Sequence, residues 1–136
     1  MVNYPKKIFL PIPPDVERVG KIVLDAAYKV HTVLGPGLLE SVYQTAMKHV
    51  ITTNNALVET EVKLPIMFEG VKLESALRID MLVEKCVIAE LKSVETMNPV
   101  YEAQLMTYLR LSKTRLGFLV NFNMPHLKDG IKRIVV

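Results

Sequence analysis

From Val16 onward, apolar residues fall at Val16, Val19, Val23, Ala26, Ala27, Val30, Val33 and Leu34. That recurrence at three and four residues predicts an amphipathic helix. Asp15 stands where an N-cap belongs. Gly35-Pro36-Gly37 then breaks the pattern, because glycine opens left-handed turns and proline cannot continue a helix. A second helical stripe follows in Leu39, Val42, Tyr43, Ala46, Met47, Val50 and Ile51, and it fades in the polar residues 52–55. The rhythm next becomes strand-like. Residues 58–68 form one strand, with Pro65 marking an edge or a bulge. After the Glu69-Gly70 turn, residues 71–73 resume it, and residues 77–83 and 86–92 form a hairpin. Asn98 and Pro99 open a helix over 100–112 as cap and first helical residue. Residues 116–122 make a short apolar strand, and 131–136 a last one. The first 15 residues are proline-rich and irregular, with an edge strand over 8–12, and residues 16–136 make one domain. The order α-α-β-β-β-α-β gives an α/β (α+β) fold, a mixed β-sheet flanked by helices.

The hairpin constrains its own register. Leu77, Ile79, Met81, Val83, Val87, Ala89 and Leu91 are all apolar, whereas Arg78, Asp80, Glu90 and Lys92 occupy the intervening positions. Directly opposed residues point to one face, so the apolar set shares a face only if paired numbers have an even sum. A two-residue loop at Glu84-Lys85 violates this. A three-residue loop or bulge satisfies it, pairing Val83 with Val87, Met81 with Ala89, and Asp80 with Glu90.

Two carboxylates opposed on one sheet face repel unless something between them compensates. A divalent cation does so, and hard oxygen ligands suit Mg²⁺ or Mn²⁺. Lys92, two residues beyond Glu90, projects to the same face, where it can act on a water or on phosphate charge. The bland alternative is a solvated face on which Lys92 pairs with Glu90 or Asp80.

Composition narrows the field without choosing a function. Half of the 136 residues are hydrophobic and 23% are charged, which excludes disorder as the main state. No apolar run suggests a membrane span. The amino end is too broken by Pro11, Pro13 and Pro14 to be a secretory segment. Cys86 is the only cysteine, so an internal disulfide and a four-cysteine metal site are excluded. These features together point to the reducing cytoplasm. The net charge of +3 is interspersed, seven basic against six acidic residues up to Phe68 and ten against eight after it. Such a balance permits a polyanionic partner without requiring one. Arg110, Lys113 and Arg115 either meet a phosphate backbone or form a solvated helix end.

Asp80 followed by Glu90-Leu91-Lys92 is a D…ExK arrangement. Gln104 and Tyr108 add a QxxxY pattern on the next helix, and Gly37-Leu38-Leu39-Glu40-Ser41-Val42-Tyr43 spells GxxExxY. With these motifs the chain, from about Val16 to its end, resembles the GxxExxY family of the PD-(D/E)XK nuclease superfamily, in its RecB-like branch. The resemblance implies a restriction-endonuclease-like core. It implies Asp80, Glu90, Glu40 and the Leu91 carbonyl as metal ligands, with Lys92 as the catalytic lysine. It implies Gln104, Tyr108 and Tyr43 as residues lining the cleft, Tyr43 sharing a helical face with Glu40. Ile79 stands in place of the motif's proline before the aspartate, a proline commonly absent across the superfamily. Against each role stands a plainer one: Tyr43 and Tyr108 as core, Glu40 as a helix-end charge, and His31 as structural. His49 and His126 carry no signal. The implied activity is a Mg²⁺- or Mn²⁺-dependent nuclease acting on nucleic acid, DNA by analogy. The alternative is a catalytically idle module that binds nucleic acid or a protein. A domain this small and weakly basic calls for a homodimer or a protein partner to grip its substrate.

Overall fold

The computed structural model describes residues 10–136. Helices α1 (Pro14–Leu34) and α2 (Glu40–Thr53) come first, followed by strands β1 (Val58–Phe68), β2 (Val71–Val83) and β3 (Val87–Lys92). Helix α3 (Pro99–Ser112), strand β4 (Leu116–Asn121), a 3-10 turn at Leu127–Gly130 and strand β5 (Ile131–Val135) complete the chain. The sheet runs β1-β2-β3-β4-β5, with β3 and β4 parallel and every other pair antiparallel. It is the expected mixed sheet flanked by helices, with 71–73 and 77–83 fused into one strand and β5 on the far edge.

The helices divide between the two faces. Tyr43, Met47 and Ile51 of α2 and Val19, Val23, Ala26, Ala27 and Val30 of α1 pack on Met81, Val87, Ala89, Leu91, Phe118 and Val120. Leu105 and Leu109 of α3 pack on the other face with Ile88 and Leu119. Two expectations at α1 are corrected. The helix starts at Pro14 with Pro13 as its cap, so Asp15 lies in the first turn, where it favours the helix dipole. Val33 is 74% exposed, because the apolar stripe continues one turn beyond the buried core. Residues 10–12 are not strand; the rest of the expected edge strand lies outside the described residues. At α3, by contrast, Asn98 caps as expected, its side chain accepting from the Val100 N–H at 3.0 Å.

Strands β2 and β3 take the register argued from parity, Met81 opposite Ala89 and Val83 opposite Val87, around the loop Glu84-Lys85-Cys86. β1 is an edge strand whose register shifts between Pro65 and Met67. One expectation about this ribbon fails. Ile79 lies in the α3-side cluster with Val62, not on the face that holds Met81. Between the Thr60–Met81 and Val62–Ile79 pairs, Glu61 has a φ of 53°, and β2 pairs with β3 no further than Met81. Released from β3, the β1–β2 ribbon turns its apolar side from one helical layer to the other.

Candidate active site

The site forms where β2 and β3 part. Instead of continuing the backbone ladder, each strand's N–H meets the other's carboxylate. Glu90 Oε1 accepts from the Asp80 N–H at 3.0 Å, and Asp80 Oδ2 accepts from the Leu91 N–H at 2.9 Å. Glu90 is only 5% exposed, and its pKa is pushed up to about 9, first by burial and then by the charge of Asp80. The Asp80 N–H and Lys92 oppose the shift and are outweighed. Burial and the neighbouring Asp80 carboxylate thus hold a proton on Glu90 when no cation lies between the two carboxyl groups. That donor set, hard oxygens on a partly dry sheet face, fits a Mg²⁺ or Mn²⁺ ion.

Lys92 points to the same face. Its Nζ lies 4.3 Å from the centroid of the Tyr101 ring, a cation–π contact. Tyr108, two turns further along α3, packs against the cluster of Leu105, Leu109 and Ile88, and its hydroxyl pKa is raised by burial first and then by the charges of Glu90 and Asp80. Gln104 lies between them on α3 and is exposed.

Helix α2 approaches from the other layer. The Gln44 amide donates to the Asp80 carbonyl at 3.0 Å. Glu40, exposed in the first turn, accepts from the Ser93 N–H at 3.4 Å. The structure thus brings Glu40 to the end of β3, at Ser93, with its carboxylate on backbone. Among the described residues no three acidic, histidine or cysteine side chains gather into a ready metal cluster, so the expected Glu40–Asp80–Glu90 group is not preassembled.

Tyr43 is a correction. It is fully buried, stacked on Phe122 with ring centroids 4.3 Å apart. Its hydroxyl donates to the Gly35 carbonyl at 2.6 Å and accepts from the Leu38 N–H at 3.1 Å. It lines no cleft, because at i+3 from Glu40 it faces the core, whereas Gln44 at i+4 faces Asp80. The Leu91 side chain is likewise core, and only its backbone reaches the carboxyl pair. Arg115 is also structural, donating to the Leu10, Pro11 and Val136 carbonyls.

Sequence reasoning missed Tyr101, Gln44 and Asn121. The first two carried a signal, since 101, 104 and 108 share a helical face, as do 40 and 44. Asn121 is buried, and its side chain bonds the Val94 backbone in both directions and accepts from Asn123. It fixes the loop that leaves β3.

A model of the PD-(D/E)XK nuclease superfamily matches residues 17–134. The chain belongs to that superfamily. The crystal structure of SSO0001 is similar in fold, with a TM-score of 0.53 at 21% identity, over 88% of this chain and 58% of that one. This chain therefore spans under two-thirds of that protein's length. No curated protein matches the sequence. No helix among the described residues is long and apolar enough to cross a membrane.

Proposed function

We propose that the protein is a metal-dependent nuclease of the GxxExxY type, in the RecB-like branch, hydrolysing phosphodiester bonds in DNA. The observation that carries this is the Asp80–Glu90 pair, two carboxyl groups set together across the parted strands, one of them buried. Asp80, Glu90 and the Leu91 carbonyl would hold the Mg²⁺ or Mn²⁺ ion, with Glu40 adding to the acidic set. When bound, the ion supplies an activated water and neutralises charge on the phosphate.

The chain's own groups do the rest. Gln44 anchors the Asp80 backbone carbonyl and the two cross-strand hydrogen bonds fix the carboxyl groups, so they need little reorganisation when substrate arrives. Lys92 keeps its ammonium over Tyr101, on the face where negative charge develops at the phosphate. Gln104 and Tyr108, on the α3 face that also carries Tyr101, meet the substrate.

Calorimetric titration with Mn²⁺ and cleavage of labelled DNA test the reading. Asp80→Ala should lose both metal binding and cleavage. Lys92→Ala should bind metal normally while cleaving about 10²-fold more slowly. A wild-type protein that binds Mn²⁺ no better than Asp80→Ala, and leaves both DNA and RNA intact, would end it.

A further inference from the structure

A groove of about 630 Å³ opens between the carboxyl end of α1 and the segment after β4. Tyr28, His31, Gly35 and Pro36 form one wall; His126 and Lys128 stand on the other. Among the described residues no carboxylate lines it. The carbonyls of Tyr28, His31, Gly35 and Met124 already accept hydrogen bonds from Thr32, Gly35, Tyr43 and His31, so they do not confront an anion with free acceptors.

Both walls are tied by hydrogen bonds to the backbone at the end of β3, where Lys92 stands. The Phe122 N–H donates to the Lys92 carbonyl at 2.9 Å, and three residues later the chain enters the groove. On the other side, Ser93 Oγ donates to the Leu38 carbonyl at 2.5 Å, tying the residue after Lys92 to the Gly35–Leu38 turn. β3 and β4 run parallel, so both segments leave the same end of the sheet. That end is where α/β sheets commonly bind ligands.

We propose that this groove holds a single-stranded flank of the nucleic acid, with Tyr28 stacking on a base and His126 and Lys128 meeting backbone phosphates. The inference rests on the nuclease reading above and adds the form of the substrate to it. Tyr28 is 43% exposed, and an aromatic ring beside a lysine in a carboxylate-free groove is the combination that grips single strands. A duplex keeps its base faces stacked inside and offers Tyr28 nothing to cover.

Fluorescence anisotropy of the full chain with a labelled twelve-nucleotide oligothymidine, in EDTA to prevent cleavage, tests this. Tyr28→Ala should weaken binding at least about fivefold. The double variant His126→Ala/Lys128→Ala should weaken it and also flatten the slope of log affinity against log salt, by about 0.7 for each phosphate no longer neutralised. If the wild type binds the strand and both variants bind it equally well, the groove assignment is overturned while the nuclease reading stands. An equal loss of affinity for a twelve-base-pair duplex overturns the single-strand assignment. A wild type that neither binds nor cleaves any nucleic acid overturns the nuclease reading, and the groove falls with it.

Discussion

Glu90→Gln isolates the electrostatics of the site, because glutamine can still accept the Asp80 N–H but has no charge to bury. In the native protein the Glu90 pKa is about 9, against an ordinary value of 4.5. Below pH 4.5 the native and unfolded chains both hold the proton. As pH rises from there toward 9, the unfolded chain releases it and the native chain keeps it. Stability contributed by the protonated pair is therefore complete at low pH and lost as pH climbs through about 9, with a limiting slope near 1.4 kcal/mol per pH unit. Urea unfolding in EDTA should thus show the wild type losing stability relative to Glu90→Gln between pH 5 and 9. The same proton competes with metal. At pH 7, two units below the pKa, only about 1% of Glu90 is ionised, so each divalent ion bound releases about one proton and affinity rises about 50-fold between pH 7 and 9, where half is ionised. Calorimetry in two buffers of different ionisation enthalpy counts that proton. Parallel stability profiles for the two proteins, with no proton released on binding, would refute the coupled pair.

Two further substitutions probe how the site is held. Glu40→Gln should cost no more than about 1 kcal/mol of stability, the scale of a first-turn helix charge, yet lower Mn²⁺ affinity several-fold by calorimetry; unchanged affinity would leave Glu40 as a helix-end charge only. Gly130→Ala would put a Cβ 2.3 Å from the Asn121 carbonyl oxygen and 2.9 Å from Met124 Cγ. Backbone must move to admit it, so denaturant unfolding should read a loss of about 1–3 kcal/mol, and cleavage should fall as well, since Asn121 is the register partner of Lys92.

What the sequence disclosed about this fold follows from where constraints are local. The β2–β3 register was legible because a one-residue slip would have sent Met81, Val83, Val87 and Ala89 to the opposite face. The Asn98-Pro99 helix start was legible because capping and the missing proline N–H act within three residues. Ile79 was not, since its change of face depends on Glu61 taking a left-handed φ and on β2 leaving β3, neither of which alternation records. Asp80, Glu90 and Lys92 could be read as sharing a face, but the exchange of ladder bonds for carboxylate bonds needed the strands to part. Tyr101 and Gln44 escaped because an aromatic or an amide in an amphipathic helix looks the same whether it meets Lys92 and Asp80 or solvent.

The Gly37-to-Tyr43 segment illustrates how a motif can be recognised while its residues do different work from that expected. Gly37 takes a φ of 93°, a conformation that a side chain would strain, and so lets the chain turn sharply from α1 into α2. Tyr43 reaches back from the first turns of α2 and closes that turn from inside, through the Gly35 carbonyl and the Leu38 N–H. Ser93 closes it from outside through the Leu38 carbonyl. Glu40 is thereby delivered to the end of β3 by a loop with little freedom to drift. The glycine and the tyrosine shape a clamp, and the glutamate is what the clamp holds against the Ser93 N–H. Losing the tyrosine hydroxyl would free both hydrogen bonds of the turn at once, so the motif acts on the site through the geometry of its loop.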